Sequence, residues 1–188
     1  MRKIVTTTIA YKFDELDDTA KERAITLYRN DNPSLDGSDW YDYIFEDVKS
    51  VARILGIEID HIYFSGFWSQ GDGACFEGRY EYPDSKSESI PKDDQDLNDI
   101  KNELDRIQQQ YPDQPLYAEI THHSPHYYHE HSTQIDTEIE DVASPLRDFM
   151  VWIYKRLEAE YDYLQLDKSI VEAITANEYE FSKEGVLI

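Results

Sequence analysis

Residues 57–82 read IEIDHIYFSGFWSQGDGACFEGRYEY, and this stretch decides the fold class. Both ends, 57–68 and 74–82, are rich in Ile, Tyr, Phe and Trp, the composition of strands. Gly71-Asp72-Gly73 between them supplies the permissive backbone that a reversal needs. The stretch therefore predicts an antiparallel hairpin. A hairpin cannot bury its apolar face alone, so the flanking sequence has to provide helices that cover it.

Working outward, Ser38 or Asp39 starts a helix in which Trp40, Tyr41, Ile44, Phe45, Val48, Val51, Ala52 and Leu55 form a wide apolar stripe, closed by Gly56. Its other side carries Asp39, Asp42, Glu46 and, obliquely, Asp47, about one helical turn apart. Further upstream, Asp17 or Asp18 caps a helix running to about Asn30, with Leu16, Ala20, Ala24, Leu27 and Tyr28 on one face. Residues 4–13 have the Thr, Val, Ile and Tyr content of a first strand. Downstream of the hairpin, residues 83–91 are polar and Ser-rich, an exposed loop. Leu97, Ile100, Leu104 and Ile107 then trace a helix stripe, while Asp96, Asp99 and Glu103 line up on a different face. Residues 116–121 and 127–139 return to strand composition. Val142, Leu146, Phe149, Met150, Ile153 and Leu157 mark the last long helix, with Pro145 tolerated in its first turn. A short helix over 170–176 and a strand pair around Glu184-Gly185 close the chain. The expectation is a single layered α+β domain over residues 1–188, an antiparallel sheet with helices packed against it.

At 188 residues one domain buries about 70% of its unfolded surface, enough for a self-sufficient core. Fifteen Tyr among the aromatics argue against a disordered chain, because each carries large apolar area. No apolar run approaches the ~18–20 residues that span a bilayer, and the start shows no signal-peptide pattern, so a cytoplasmic protein is expected. Cys75 is the single cysteine, which excludes an intramolecular disulfide framework and a cysteine-based zinc site; a buried, reduced thiol is expected. The 40 Asp+Glu against 18 Lys+Arg give a net charge of −22. That is opposite to the basic footprint of a nucleic-acid binder and disfavours anionic membranes. Two explanations remain: acidity for solubility, or a basic partner.

Residues 64–78 mix glycines with Phe64, Phe67, Trp68 and Phe76. The segment lacks the Gly-Lys-Ser/Thr ending of a phosphate-binding loop, and Asp72 alone does not make a calcium loop. A hairpin in which Trp68 and the glycines support the sheet is the preferred reading; its rival is an exposed Trp68 acting as an interface anchor. His122, His123, His126, His129 and His131 lie close together. In an extended segment His129 and His131 face the same way, but two ligands are not a site, and Pro125 argues against a helix that presents His122 with His126. No metal ligand, cofactor-binding residue or catalytic residue is nominated. With 40 acids, no carboxylate pair stands out, and nucleophile-elbow, kinase and dinucleotide signatures are absent.

At Tyr11-Lys12-Phe13-Asp14-Glu15-Leu16, at Ala20-Lys21-Glu22-Arg23-Ala24 and at YFSGFWSQGDGACFEG (63–78), the chain resembles a family of small acidic proteins from tailed bacteriophages, often labelled antitoxin or toxin–antitoxin-like. The likeness extends through 117–119, the Tyr/His-rich stretch and Asn177-Glu178-Tyr179-Glu180-Phe181. The resemblance implies a phage setting and a host cytoplasm, where small acidic proteins neutralise nucleases or defence proteins, some by imitating DNA. The leading expectation is a non-enzymatic inhibitor of a host nucleic-acid-acting defence protein, of the anti-CRISPR, anti-restriction or DNA-mimic kind. It would use Asp39, Asp42, Glu46, Asp96, Asp99, Glu103 and Trp68 against a basic surface. The alternatives are an antitoxin that neutralises a toxin nuclease and a metal-dependent hydrolase built on the segment 122–131.

Overall fold

The hairpin forms as its composition dictates. In a computed structural model, which describes residues 9–35, 37, 39–83, 90, 91, 93–124 and 126–188, β1 (Ile57–Phe64) pairs antiparallel with β2 (Ala74–Glu81). Ile57 lies opposite Tyr80 and Phe64 opposite Ala74, with a register shift between Ile59 and His61. β3 (Tyr117–His122) adds to β2 and β4 (Thr133–Asp136) to β3, so the described sheet runs in the order β1-β2-β3-β4, antiparallel throughout. The helices are α1 (Asp18–Asn30), α2 (Asp39–Ile54), α3 (Gln95–Gln110), α4 (Ala143–Gln165) and α5 (Asp167–Ala176). The fold is α+β.

The chain divides into two compact units, one formed by Tyr41–Ala159, the other by the described residues up to Trp40 together with Glu160–Ile188. In the first, Phe76, Tyr80, Ala118 and Ile120 are buried on one face of the sheet. That face meets helices: Phe76 stands edge-on to Phe149 of α4, and Phe64 is enclosed by Tyr41 and Phe45 of α2. The Tyr82 hydroxyl donates to Asp105 of α3 at 2.8 Å. The predicted stripes of α3 and α4 are all buried. Gly56, at φ +82°, makes the corner from α2 into β1; a Cβ there would overlap the Glu81 carbonyl oxygen, so only glycine fits. On the opposite face the register aligns Glu58, Arg79, Glu119 and Asp136 in one exposed cross-strand row.

In the other unit α1 and α5 pack through Leu16, Ala20, Ala24, Tyr28, Ile170, Ile174 and Phe181. Asp17 is the N-cap of α1, its side chain accepting from the Ala20 N–H at 2.9 Å. Leu27, expected on the buried face, is exposed: the part of that face covered by α5 is centred on Ala20, Ala24 and Tyr28, and Leu27 sits at its rim. Phe181 bridges both Tyr11 and Leu187, the terminal strand pair in its shortest form.

Other expectations change. The strand expected over 127–139 reduces to Thr133–Asp136, because Glu130–Ser132 forms a 3-10 turn. Local bonds hold that turn: His129 Nδ1 accepts from the His131 N–H at 3.1 Å and the His129 carbonyl from the Ser132 N–H at 2.8 Å. Of the first strand expected over 4–13, residues 4–8 lie outside the described residues, and Phe13–Glu15 is a 3-10 turn. Ser38, Pro125 and residues 84–89 of the expected 83–91 loop also lie outside them; at the end of that loop Ile90 is buried.

Candidate functional site

The turn between β1 and β2 is a built loop. Asp72 folds back so that one carboxylate oxygen accepts from the N–H groups of Trp68 and Ser69, at 2.8 and 2.7 Å. These bonds hold the Asp72 carboxyl below its ordinary pKa, the Ser69 N–H contributing most. Below the loop the Tyr154 hydroxyl donates to the Gly66 carbonyl at 3.1 Å, and Phe67 packs on the Tyr154 ring. Trp68, at the crest, is 81% exposed. This corrects the preferred sequence reading: the sheet is supported by Phe67 and Phe64, whereas the Trp68 indole faces solvent. The reason lies in the loop beyond β1: Phe67 is taken up by the rings of Phe64 and Tyr154, while the Trp68 backbone N–H is turned onto Asp72 and the indole is left outside.

The histidine-rich segment folds against the same hairpin. His122 stacks on Tyr63 and on Tyr128, with ring centroids 4.8 and 5.3 Å apart. Glu77 ties them down, accepting from the Tyr63 hydroxyl at 2.8 Å and from the His122 backbone N–H at 3.1 Å. That bond, ahead of burial, raises the Tyr63 pKa. His122 Nε2 lies 2.9 Å from the Tyr127 carbonyl, and Gly73 lets the His129 backbone approach β2 too closely for any Cβ. His122 and His129 thus serve local structure, and among the described residues no group of three His, Cys, Asp or Glu is placed to hold a metal ion. Cys75 is fully buried, and burial, reinforced by the charges of Glu77 and Glu130, pushes its thiol up to about 12. Such a thiol is a poor nucleophile at neutral pH.

Asp39, Asp42 and Glu46 are exposed on α2. On α3, Asp96 pairs with Lys155 and Glu103 with Arg106, both at 2.6 Å, while Asp99 accepts from Gln95 at 2.7 Å. The α3 row is therefore partly neutralised by its neighbours. Asp148 lines a groove together with Asp96, Asp99 and Glu103, and burial followed by the Glu103 charge raises its pKa.

Residues 40–167 match the family described as a domain of unknown function, DUF8835. The chain belongs to that family. Comparison with curated proteins and with solved structures gave no match. The DUF8835 span contains the whole described sheet, the Trp68 loop, the histidine segment and both acidic rows except Asp39. Within it, the residues that sequence reasoning missed are Glu77 and Tyr154. Nothing local marks either one, since their roles arise from bonds to residues 45 and 88 positions away. Asp72 carried a signal: an Asp flanked by glycines is a usual acceptor for turn N–H groups.

Proposed function

We propose that this DUF8835 protein is a non-enzymatic binding protein that occupies the basic, nucleic-acid-facing surface of a host protein, as a phage-type inhibitor of a defence complex does. The observation that carries this reading is Trp68, 81% exposed on a loop pinned by Asp72 and Tyr154. A tryptophan fixed before binding costs little ordering entropy and suits the centre of an interface. The net charge of −22 and the exposed carboxylates of Asp39, Asp42 and Glu46 supply attraction to a cationic partner and repel nucleic acid. The antitoxin alternative uses the same surface against a toxin nuclease.

The test is affinity capture from host extract followed by competition. The captured protein should bind nucleic acid, and duplex or single-stranded nucleic acid should displace it. Trp68→Ala should weaken capture at least tenfold, while the melting curve shifts by no more than about 0.5 kcal/mol, the usual range for an exposed substitution. Capture that survives both Trp68→Ala and the triple change Asp39→Lys, Asp42→Lys, Glu46→Lys would refute the assignment.

A further inference from the structure

In a chain whose acids outnumber its basic residues more than two to one, one cavity reverses the balance. It has a volume of about 640 Å³ and lies where α2 turns into β1; its lining includes Lys49, Arg53, Arg79, Glu58, Glu81 and Tyr117. That volume is in the range of small-molecule sites. Arg79 is paired with Glu58. Neither the Lys49 nor the Arg53 side chain enters an ion pair or hydrogen bond with another described residue. Spaced i, i+4 on α2, these two cations stand about 5–6 Å apart at Cβ and repel, which costs the helix stability. Arg53, in the last turn, gains from the helix dipole, but Lys49, a turn earlier, has no such compensation. An anion seated between them removes the repulsion. Across the cavity Tyr117 is 49% exposed, and its backbone is held by the Thr137 hydroxyl, which donates to the Tyr117 carbonyl at 2.8 Å.

We propose that this cavity binds a small polyphosphate anion, with Lys49, Arg53 and Arg79 holding phosphate oxygens and Tyr117 offering a ring face to any attached base. Guanidinium groups suit phosphate through paired donors, and a tyrosine face stacks on a base of any identity. The global charge does not forbid such a ligand. At physiological salt, fields are screened within about 8 Å, so a compact anion responds to the cavity walls, whereas a long nucleic acid meets the whole acidic surface.

The experiment is calorimetric titration of the full chain at about 150 mM salt, where the global field is screened, with tripolyphosphate, ATP and adenosine. Tripolyphosphate and ATP should bind saturably and adenosine should not. Lys49→Glu with Arg53→Glu should lower affinity at least tenfold with the circular dichroism spectrum unchanged; Arg53→Gln alone should lower it severalfold and serves if the double variant does not fold. Equal affinity for tripolyphosphate and ATP identifies free polyphosphate as the ligand class. Tighter ATP binding that Tyr117→Ala reduces to the tripolyphosphate level identifies a nucleotide. The absence of saturable binding to either polyanion, or binding indifferent to both cation variants, overturns the proposal.

Discussion

Asp72 accepts two backbone N–H groups in a loop of only nine residues between the strands, so the conformation that presents Trp68 depends on one carboxylate. Asp72→Ala should cost about 1 kcal/mol, the size of a lost helix N-cap, which calls on the same kind of bond. Because the folded-state pKa lies below the ordinary value of 3.8, the contribution is complete above that value and disappears as pH falls through the lower folded pKa. The melting difference between the native protein and Asp72→Ala should accordingly stay level from about pH 8 to 5 and close below about pH 4. A gap that persists unchanged at lower pH would mean that the carboxylate charge is not what holds the loop. Cys75 gives a second residue-scale expectation. With its thiol buried and pushed up to about 12, it should resist a disulfide reagent in the native state and react promptly after denaturation. Rapid labelling of the native protein would show that β2 opens far more readily than its burial implies.

At the scale of elements, Asp94 joins two helices. One oxygen caps α3 by accepting from the Leu97 N–H at 3.1 Å, and the other accepts from the Trp152 indole N–H of α4 at 2.9 Å. Asp94→Ala removes the cap and strands a buried indole donor, so a loss of about 2–3 kcal/mol is expected by denaturant titration. Asp94→Asn retains one acceptor and should fall between. If Asp94→Ala costs under about 0.5 kcal/mol, the α3–α4 packing does not rely on this residue. The elements themselves were largely legible. A cap for α1 at Asp17 or Asp18, Gly56 as the stop of α2, and the stripes of α3 and α4 followed from 3.6-residue periodicity and capping chemistry, both local properties; the structure chose Asp17. The segment 127–139 was misread because Tyr, His and Thr carry strand composition in any conformation, whereas the His129 side chain closes the local turn that breaks the strand.

For the whole molecule, the charge of −22 makes association a matter of ionic strength. If a basic surface is the partner, the association rate should fall at least tenfold between about 50 and 500 mM salt, with dissociation changing less. Rates that ignore salt would assign the acidity to solubility and recognition to the Trp68 loop. No helix among the described residues is long and apolar enough to cross a membrane. What the sequence determined by itself was the local chemistry: the hairpin with its glycine-rich reversal, the helix faces, the single sheltered thiol and the sign of the surface field. Each of these depends on neighbours within a turn of helix or on summed composition. Only the tertiary structure decided which way Trp68 points, that Glu77 and Tyr154 anchor the loop and the histidine segment, that Lys155 neutralises part of the α3 row, and that Lys49 and Arg53 share a cavity with Tyr117. The reason is distance along the chain. Most of these contacts join residues tens of positions apart, and periodicity and propensity do not reach that far.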